Sequence, residues 1–375
     1  MPAYKHLYLH VPFCGRRCSY CDFSIAVRRV VPAAEYVDAI AAELAVRHGD
    51  GQIGPLDTIY LGGGTPTKLG IPGLARLADV LRPLTSDMSE GSQLTIEANP
   101  EDLASSVSFA EDLHELGYRR LSVGVQSFDQ KVLDWMHRGH DAKTVRKAFH
   151  NLWAAGITEI SLDLIFALPD HLKRNWSADL KQALELKPFH ISLYGLTIEP
   201  HTPLGRWQAR GDVDAAPEER YAAEYLEAVA TLTEAGYEHY EVSNFALPGF
   251  RSRHNSAYWR RVPYLGLGPS AHSFDGVERR WNERAYVAWR DRLLKGEDPV
   301  EGTELLTPDQ VAAEEVYLGL RTSDGLLAVE ADQRLFAQWE AVAWAEMVDG
   351  RIRLTAEGLL RLDALAAALT ADRSR

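Results

Sequence analysis

A chain of 375 residues, 46% of them hydrophobic, is long enough to bury a large core and to form one large domain with a small one, or two to three average ones. Its 53 acidic residues outnumber 40 basic ones for a formal charge of −13, spread without a long acidic tail, which works against phosphate-backbone binding and argues for no nucleic acid partner. No stretch approaches membrane-spanning length without charges, and Met1 is followed by no apolar segment with a small-residue cleavage site, so the expectation is a soluble cytoplasmic protein with peripheral membrane contact left open.

In chain order, short apolar runs alternate with amphipathic stretches. "HLYLHV", "LDTIYLGGG", "QLTIEAN", "RRLSVGVQSF", "EISLDLIFALP" and "FHISLYGL" read as six buried parallel strands. Between them, segments such as "AAEYVDAIAAELAVRHG" and "AKTVRKAFHNLWAAG" carry apolar residues three and four apart and stop at glycine, the pattern of core-facing helices. Such alternation implies an α/β fold with right-handed crossovers and a parallel sheet, curved or closed into a barrel, with active residues at the carboxyl ends of the strands. After Tyr194 the rhythm breaks. "PHTPLGRW" is a proline-punctuated loop, "PEERYAAEYLEAVATLTEAG" a long helix, and "HYEVSNFA" a strand that extends the sheet. A core over 1–245 is therefore expected, then a glycine- and aromatic-rich connecting region over 246–300, leading into helices. The last part, 301–375, reads as a small, mainly helical, winged-helix-like unit with a tight turn at Asp349-Gly350.

Every cysteine of the chain, Cys14, Cys18 and Cys21, falls in "HVPFCGRRCSYCDF", just after the first strand. An odd number of thiols at so tight a spacing is no disulfide framework and belongs to a reducing compartment, where thiols ligate or react. Zinc is one reading, but structural zinc takes four protein ligands and would have to recruit a distant histidine. A [4Fe–4S] cluster suits three thiolates better, because each holds one iron and the fourth iron stays open to a small molecule.

With this CxxxCxxC loop the chain resembles the radical S-adenosylmethionine (SAM) superfamily. The words "LYLHVPFC", "GGGTPT", "EANP", "GVQSF" and "DLIFALP" resemble the branch that contains oxygen-independent coproporphyrinogen III oxidase and the HemW heme chaperones, from about Tyr8 to the end of the chain. The resemblance implies a partial (β/α)6 barrel and a cluster on the three cysteines whose open iron chelates the amino and carboxylate groups of SAM. It also implies SAM contacts from Gly64, Thr65, Glu97, Gln126, Arg138 and Asp163, with Tyr8 and Tyr20 packed beside cluster and adenine. Read as plain chemistry, the glycines of "LGGGTPT" let backbone amides approach a ligand closely. Glu97 and Asp163 are acids in otherwise apolar strands, where a buried carboxylate needs a partner; a salt bridge or a cap also accounts for them, as core packing does for the two tyrosines.

Two departures separate the chain from the oxidases of that branch. They carry a further cysteine two residues after the third, where this chain has Phe23, and an N-terminal extension that closes over the substrate, whereas here the first strand starts almost at once. "HNSAYW", His254 to Trp259, is instead similar to the HNxxYW pattern of the HemW branch, associated there with heme. Histidine is a sensible axial ligand for heme iron, and aromatics stack on a porphyrin, so His254 is the heme ligand expected, with His137, His140 and His272 as competitors. The expectation is a cytoplasmic heme chaperone that binds a [4Fe–4S] cluster, SAM and heme and delivers heme to an acceptor protein, a membrane-associated respiratory protein being one kind. No catalytic residue is assigned, and pairing into a homodimer is left open. The alternatives are an oxygen-independent coproporphyrinogen III oxidase or another radical SAM oxidoreductase of porphyrin metabolism, and a zinc-stabilised binding module.

Overall fold

The computed structural model describes residues 4–47, 53–86, 88 and 91–374. The six apolar runs form β1 (Tyr4–Val11), β2 (Ile53–Gly63), β3 (Gln93–Ala98), β4 (Arg120–Gln126), β5 (Glu159–Phe166) and β6 (His190–Gly195), which pair in parallel and in chain order. Leu9, Leu61, Leu121 and Leu162 on these strands are wholly buried, because crossover helices cover the sheet. Those helices are α1 (Ala33–Val46), α2 (Gly70–Thr85), α3 (Val107–Glu115), α4 (Ala142–Ala154) and α5 (Trp176–Glu185). Asp141 and Asn175 cap α4 and α5 by accepting the amides of Thr144 and Ala178, so the strand-to-helix loops end in residues suited to satisfy orphan donors. Gly156 follows α4 with φ +81°, a left-handed conformation that glycine takes without strain; Gly49, expected to stop α1, lies outside the described residues.

The sheet stays open. After α6 (Glu218–Glu234), the hairpin β7 (Glu238–Glu241) and β8 (Asn244–Ala246) lies antiparallel against β6. A short helix, α7 (Arg253–Trp259), then leads to β9 (Tyr264–Leu267), which pairs parallel with the free edge of β1. Beyond it β10 (His272–Phe274), β11 (Glu278–Asn282) and, after α8 (Tyr286–Leu294), β12 (Val300–Leu305) continue antiparallel, for a 12-stranded sheet of order β12-β11-β10-β9-β1-β2-β3-β4-β5-β6-β8-β7. The stretch read from the sequence as a connection thus carries three short strands of the large sheet between two helices. "ERRWN" and "VEGTEL" are polar and only partly buried, so they carry no apolar run to announce them.

The C-terminal part begins with α9 (Pro308–Arg321), opened by a capping box between Thr307 and Gln310. Strands β13 (Leu326–Leu327), β14 (Ala345–Val348) and β15 (Arg351–Leu354) form a separate small sheet in the order β13-β15-β14, packed with α10 (Gln333–Ala341) and α11 (Leu362–Arg373). Leu320, Trp339, Ile352 and Leu369 make a core of their own. Asp349 and Gly350 both have positive φ, +51° and +73°, as a two-residue hairpin turn requires. Among the described residues no helix is long and apolar enough to cross a membrane.

Candidate functional site

β1 ends at Val11 and the chain enters the cysteine loop at the carboxyl end of the sheet. Phe13 and Cys14 pair with Ala26 and Val27, which closes the base of the loop. The Ser19 amide donates to Met136 O at 3.1 Å and the Leu204 amide to Ser19 O at 2.8 Å, which tie its crown to neighbouring loops. All three thiols line one cavity of about 650 Å³, and none is in a disulfide. Cys14 Sγ lies 3.6 Å from Thr65 Oγ1, and Arg138 Nη1 donates to Cys18 Sγ at 3.5 Å. Burial pushes the Cys14 thiol up, and pushes Cys21 up to about 11, values that a metal centre reverses by binding the thiolates. Among the described residues no three His, Cys, Asp or Glu converge tightly enough to hold a single ion. A [4Fe–4S] cube gives each thiolate its own iron, and three sulfurs spread around one cavity fit that demand.

The glycine turn after β2 forms another wall, and its backbone is not used as the sequence pattern suggested. The amides of Gly63, Gly64 and Thr65 donate to Glu97 Oε2 at 3.0 Å, Val11 O at 2.8 Å and Phe13 O at 2.9 Å, so these donors are already engaged inside the protein. Glycine is required here for packing. A Cβ on Gly64 would lie 2.7 Å from the Pro12 carbonyl carbon and 2.8 Å from Phe13 O, and Gly63 has φ +105°. The turn is therefore seated against the root of the cysteine loop, and the positions of Thr65 and Cys14 are set together.

Two acids and one arginine complete the polar frame. Burial pushes Glu97 up to about 7, opposed by the hydrogen bond from Tyr60 (2.8 Å) and reinforced by the charge of Asp163. Burial likewise pushes Asp163 up to about 6, against hydrogen bonds from Ser192 and Ser122. Arg138 Nη2 donates to Asn99 Oδ1 at 2.6 Å and Gly124 O at 2.5 Å, so one guanidinium joins the cysteine loop to the ends of β3 and β4. Glu101 is held down to about 2: burial opposes ionisation, but the His140 ring, its Nδ1 3.5 Å from Oε2, and the charge of Arg138 outweigh it. Gln126 sits at a bulge in β4 with φ +71° and His137 has φ +58°; both line the cavity, where left-handed backbone at non-glycine residues is held by its surroundings. Such a frame offers acceptors for an amino group or hydroxyls and a cation for a carboxylate.

Of the residues singled out from the sequence, Cys14, Cys18, Cys21, Tyr20, Gly64, Thr65, Glu97, Gln126, Arg138 and Asp163 line this one cavity, while Tyr8 and His254 stand apart. The Tyr8 hydroxyl is 3.0 Å from His10 Nδ1 and its ring stacks on Tyr60. His254 departs from the place the sequence suggested. It is 1% exposed, its Nδ1 is 2.7 Å from Thr58 Oγ1, its Nε2 is 2.7 Å from the Tyr258 hydroxyl, and its ring stacks on Tyr60 with centroids 5.1 Å apart. The first turn of α7 delivers it into the barrel interior, where neither ring nitrogen is free for iron, and burial pushes its pKa down to about 3. His140 is buried with Nε2 3.0 Å from Val125 O, whereas His137 and His272 are exposed. Asn99, Ser122 and Tyr194 also line the cavity and were not singled out as site residues. The word "EANP" held a signal for Asn99; Ser122 and Tyr194 had only their inward place on β4 and β6.

Residues 8–183 match the Radical SAM superfamily. Over 328 residues the chain is 36% identical to the heme chaperone HemW of Synechocystis sp., covering 85% of this chain and 78% of that protein. The chain belongs to the HemW family. It is 34% identical over 322 residues to the heme chaperone HemW of Bacillus subtilis, covering 86% and 84% of the two chains, and 38% identical over 271 residues to that of Escherichia coli, covering 71% and 69%. The solved structure of coproporphyrinogen III oxidase (HemN) from Escherichia coli, a radical SAM enzyme, superimposes with a TM-score of 0.79 at 24% identity, over 98% of this chain and 91% of that one. That likeness gives the HemW-family chain the fold of an oxidase and not its chemistry. Where the sequence pattern of the oxidases has a further cysteine, Phe23 stands at the cavity edge with 63% of its surface exposed.

Proposed function

We propose that the chain is a heme chaperone: it holds a [4Fe–4S] cluster on Cys14, Cys18 and Cys21 and SAM in the adjoining cavity, binds heme as cargo and passes it to an acceptor protein. The observation that carries the reading is the convergence of all three cysteines on one 650 Å³ cavity framed by Arg138, Glu97 and Asp163, in a chain whose relatives are heme chaperones. When bound, the cluster supplies an electron able to open a carbon–sulfur bond of SAM. The protein's own groups bind and orient. Arg138 presents a permanent positive charge to Cys18 and to the cavity. Glu97 and Asp163, both titrating near neutrality, hold or release protons beside hydroxyl and amino groups. Thr65 faces Cys14, and Tyr20, between Cys18 and Cys21, lines the same cavity.

Heme delivery rather than porphyrin oxidation is supported by the HemW relatives and by Phe23, which stands in the place of the oxidases' further cysteine. The compartment proposed is the cytoplasm, where free thiols persist, and the acceptor a heme-requiring protein, membrane-associated respiratory proteins among them. Residues 1–245 are read as the barrel, 246–300 as the region carrying "HNSAYW", and 301–375 as the winged unit.

Iron and sulfide analysis of anaerobically reconstituted protein, hemin titration followed by absorption, and an assay with coproporphyrinogen III on the same sample test the proposal together. Expected are a [4Fe–4S] content per chain, a shifted Soret band, and no protoporphyrinogen IX. Absent heme binding, or clear formation of protoporphyrinogen IX, overturns it.

A further inference from the structure

Beside the main cavity lies a second groove of about 330 Å³, which shares Asp22, Phe23, Gly63 and Glu97 with it, so the two meet across the glycine turn. No group of the cluster and SAM site uses its outer end. There His272, on β10, is exposed, its ring 5.8 Å from that of Trp281 and only 24° from parallel. Neither ring nitrogen has a hydrogen-bond partner among the described residues. Phe23 and Tyr264 supply apolar walls, and Arg284, its side chain 61% exposed, stands at the rim, where it donates to Asp22 O at 3.1 Å and lies 3.7 Å from the Asp22 carboxylate, an exposed pair that a propionate can replace.

We propose that this groove is the seat of heme, with His272 supplying the axial nitrogen and Arg284 meeting a propionate, an assignment that rests on the chaperone reading above. Heme asks three things of a protein: a neutral nitrogen base, a flat apolar surface and a cation for its carboxylates. All three meet here, outside the cavity that the thiols face. His254 has aromatic surroundings but both nitrogens engaged; His137 is unengaged but lines the cavity that the thiols face. The parallel contact with Trp281 fixes the plane of the His272 ring. Partial desolvation of the ring, then the charge of Arg279, push its pKa down, which favours the neutral imidazole that binds iron. The volume is at the low end of the ~300–1,000 Å³ range of small-molecule sites, so the groove takes part of the macrocycle and leaves the rest open to an acceptor, as cargo that must leave requires.

The test is a hemin titration of the cluster-loaded full chain as wild type, His272→Ala, His137→Ala and His254→Phe, with iron and sulfide content measured alongside. His272→Ala is expected to lose the histidine-ligated spectrum and to bind at least ~10-fold more weakly, to regain that spectrum with added imidazole, and to keep its cluster. Arg284→Glu is expected to weaken hemin but not hemin dimethyl ester, which has no free propionate. An unchanged spectrum in His272→Ala, or a loss confined to His137→Ala or His254→Phe, overturns the assignment while leaving the chaperone reading intact. A wild type that binds no hemin brings down the chaperone reading and the seat with it.

Discussion

The hydroxyl of Tyr60 donates to one carboxylate oxygen of Glu97 at 2.8 Å, and the other oxygen of that carboxylate takes the amide of Gly63 at 3.0 Å. Tyr60 also stacks on His254, so a continuous set of contacts runs from α7 at the barrel interior through Tyr60 and Glu97 to the glycine turn at the cavity.

Glu97 gives that set a pH dependence. Its carboxyl is raised to about 7 from an ordinary 4.5, so the stability lent by its protonated form is complete below about 4.5 and is lost as pH rises through about 7. The loss is at most about 3 kcal/mol, and less to the degree that water reaches the carboxyl through the cavity. Glu97→Gln carries no charge there. Relative to wild type, the metal-free variant is expected to gain melting temperature steadily between acid and neutral pH. Parallel thermal melts read the difference, and a difference that does not move with pH removes the assignment.

Each of Cys14→Ala, Cys18→Ala and Cys21→Ala is expected to prevent stable cluster assembly, because two thiolates cannot hold four irons. With burial raising Cys14 and Cys21, cluster loading of wild type is also expected to release protons and to slow as pH falls. Iron and sulfide content per chain is the measure; near-normal content in any one variant excludes that residue as a ligand.

Gly64→Ala tests the packing account of the glycine turn. The new methyl meets backbone atoms of Pro12 and Phe13, which have no flexible end to move away, so a destabilisation of about 1–3 kcal/mol is expected even in metal-free protein. If the glycine serves ligand approach alone, SAM binding falls while the melting temperature of the metal-free form stays put.

The six central strands were legible because each is a continuous apolar run, and the cavity was legible because the cysteines follow the first of them. The strands β11 and β12 were not, since their residues are too polar and too little buried to show an apolar run, and β10 is only three residues long. The bulge that turns Gln126 into the cavity depends on pairing between β4 and β5, a long-range relation no local pattern carries. For "LGGGTPT" the sequence showed that glycine was needed and could not show against what; the answer is the carbonyl backbone of Pro12 and Phe13. For "HNSAYW" the residue types suggested a ligand, but His254 and Tyr258 are four apart and share a helix face, and that spacing was the available sign that they pair with each other.

His254→Phe separates a structural histidine from a heme ligand. Phenylalanine keeps the ring stacked on Tyr60 but removes two acceptor or donor atoms, which leaves the buried Tyr258 hydroxyl without its partner while Thr58 retains its hydrogen bond with His6 Nδ1. Loss of one buried partner costs about 1–3 kcal/mol near neutral pH. The histidine's folded pKa of about 3 lies below its ordinary 6.5, so its contribution is present above 6.5 and is lost as pH falls below that value, at about 1.4 kcal/mol per unit, because the unfolded chain takes up a proton that the buried ring refuses. The deficit of His254→Phe against wild type should therefore shrink in acid, in the opposite sense to the pH trend of Glu97→Gln. Thermal melts of both variants and wild type across the same buffers, with the hemin spectrum recorded at neutral pH, read all of this at once. A deficit that holds constant in acid, or the disappearance of the histidine-ligated heme spectrum, would return His254 to the role of ligand.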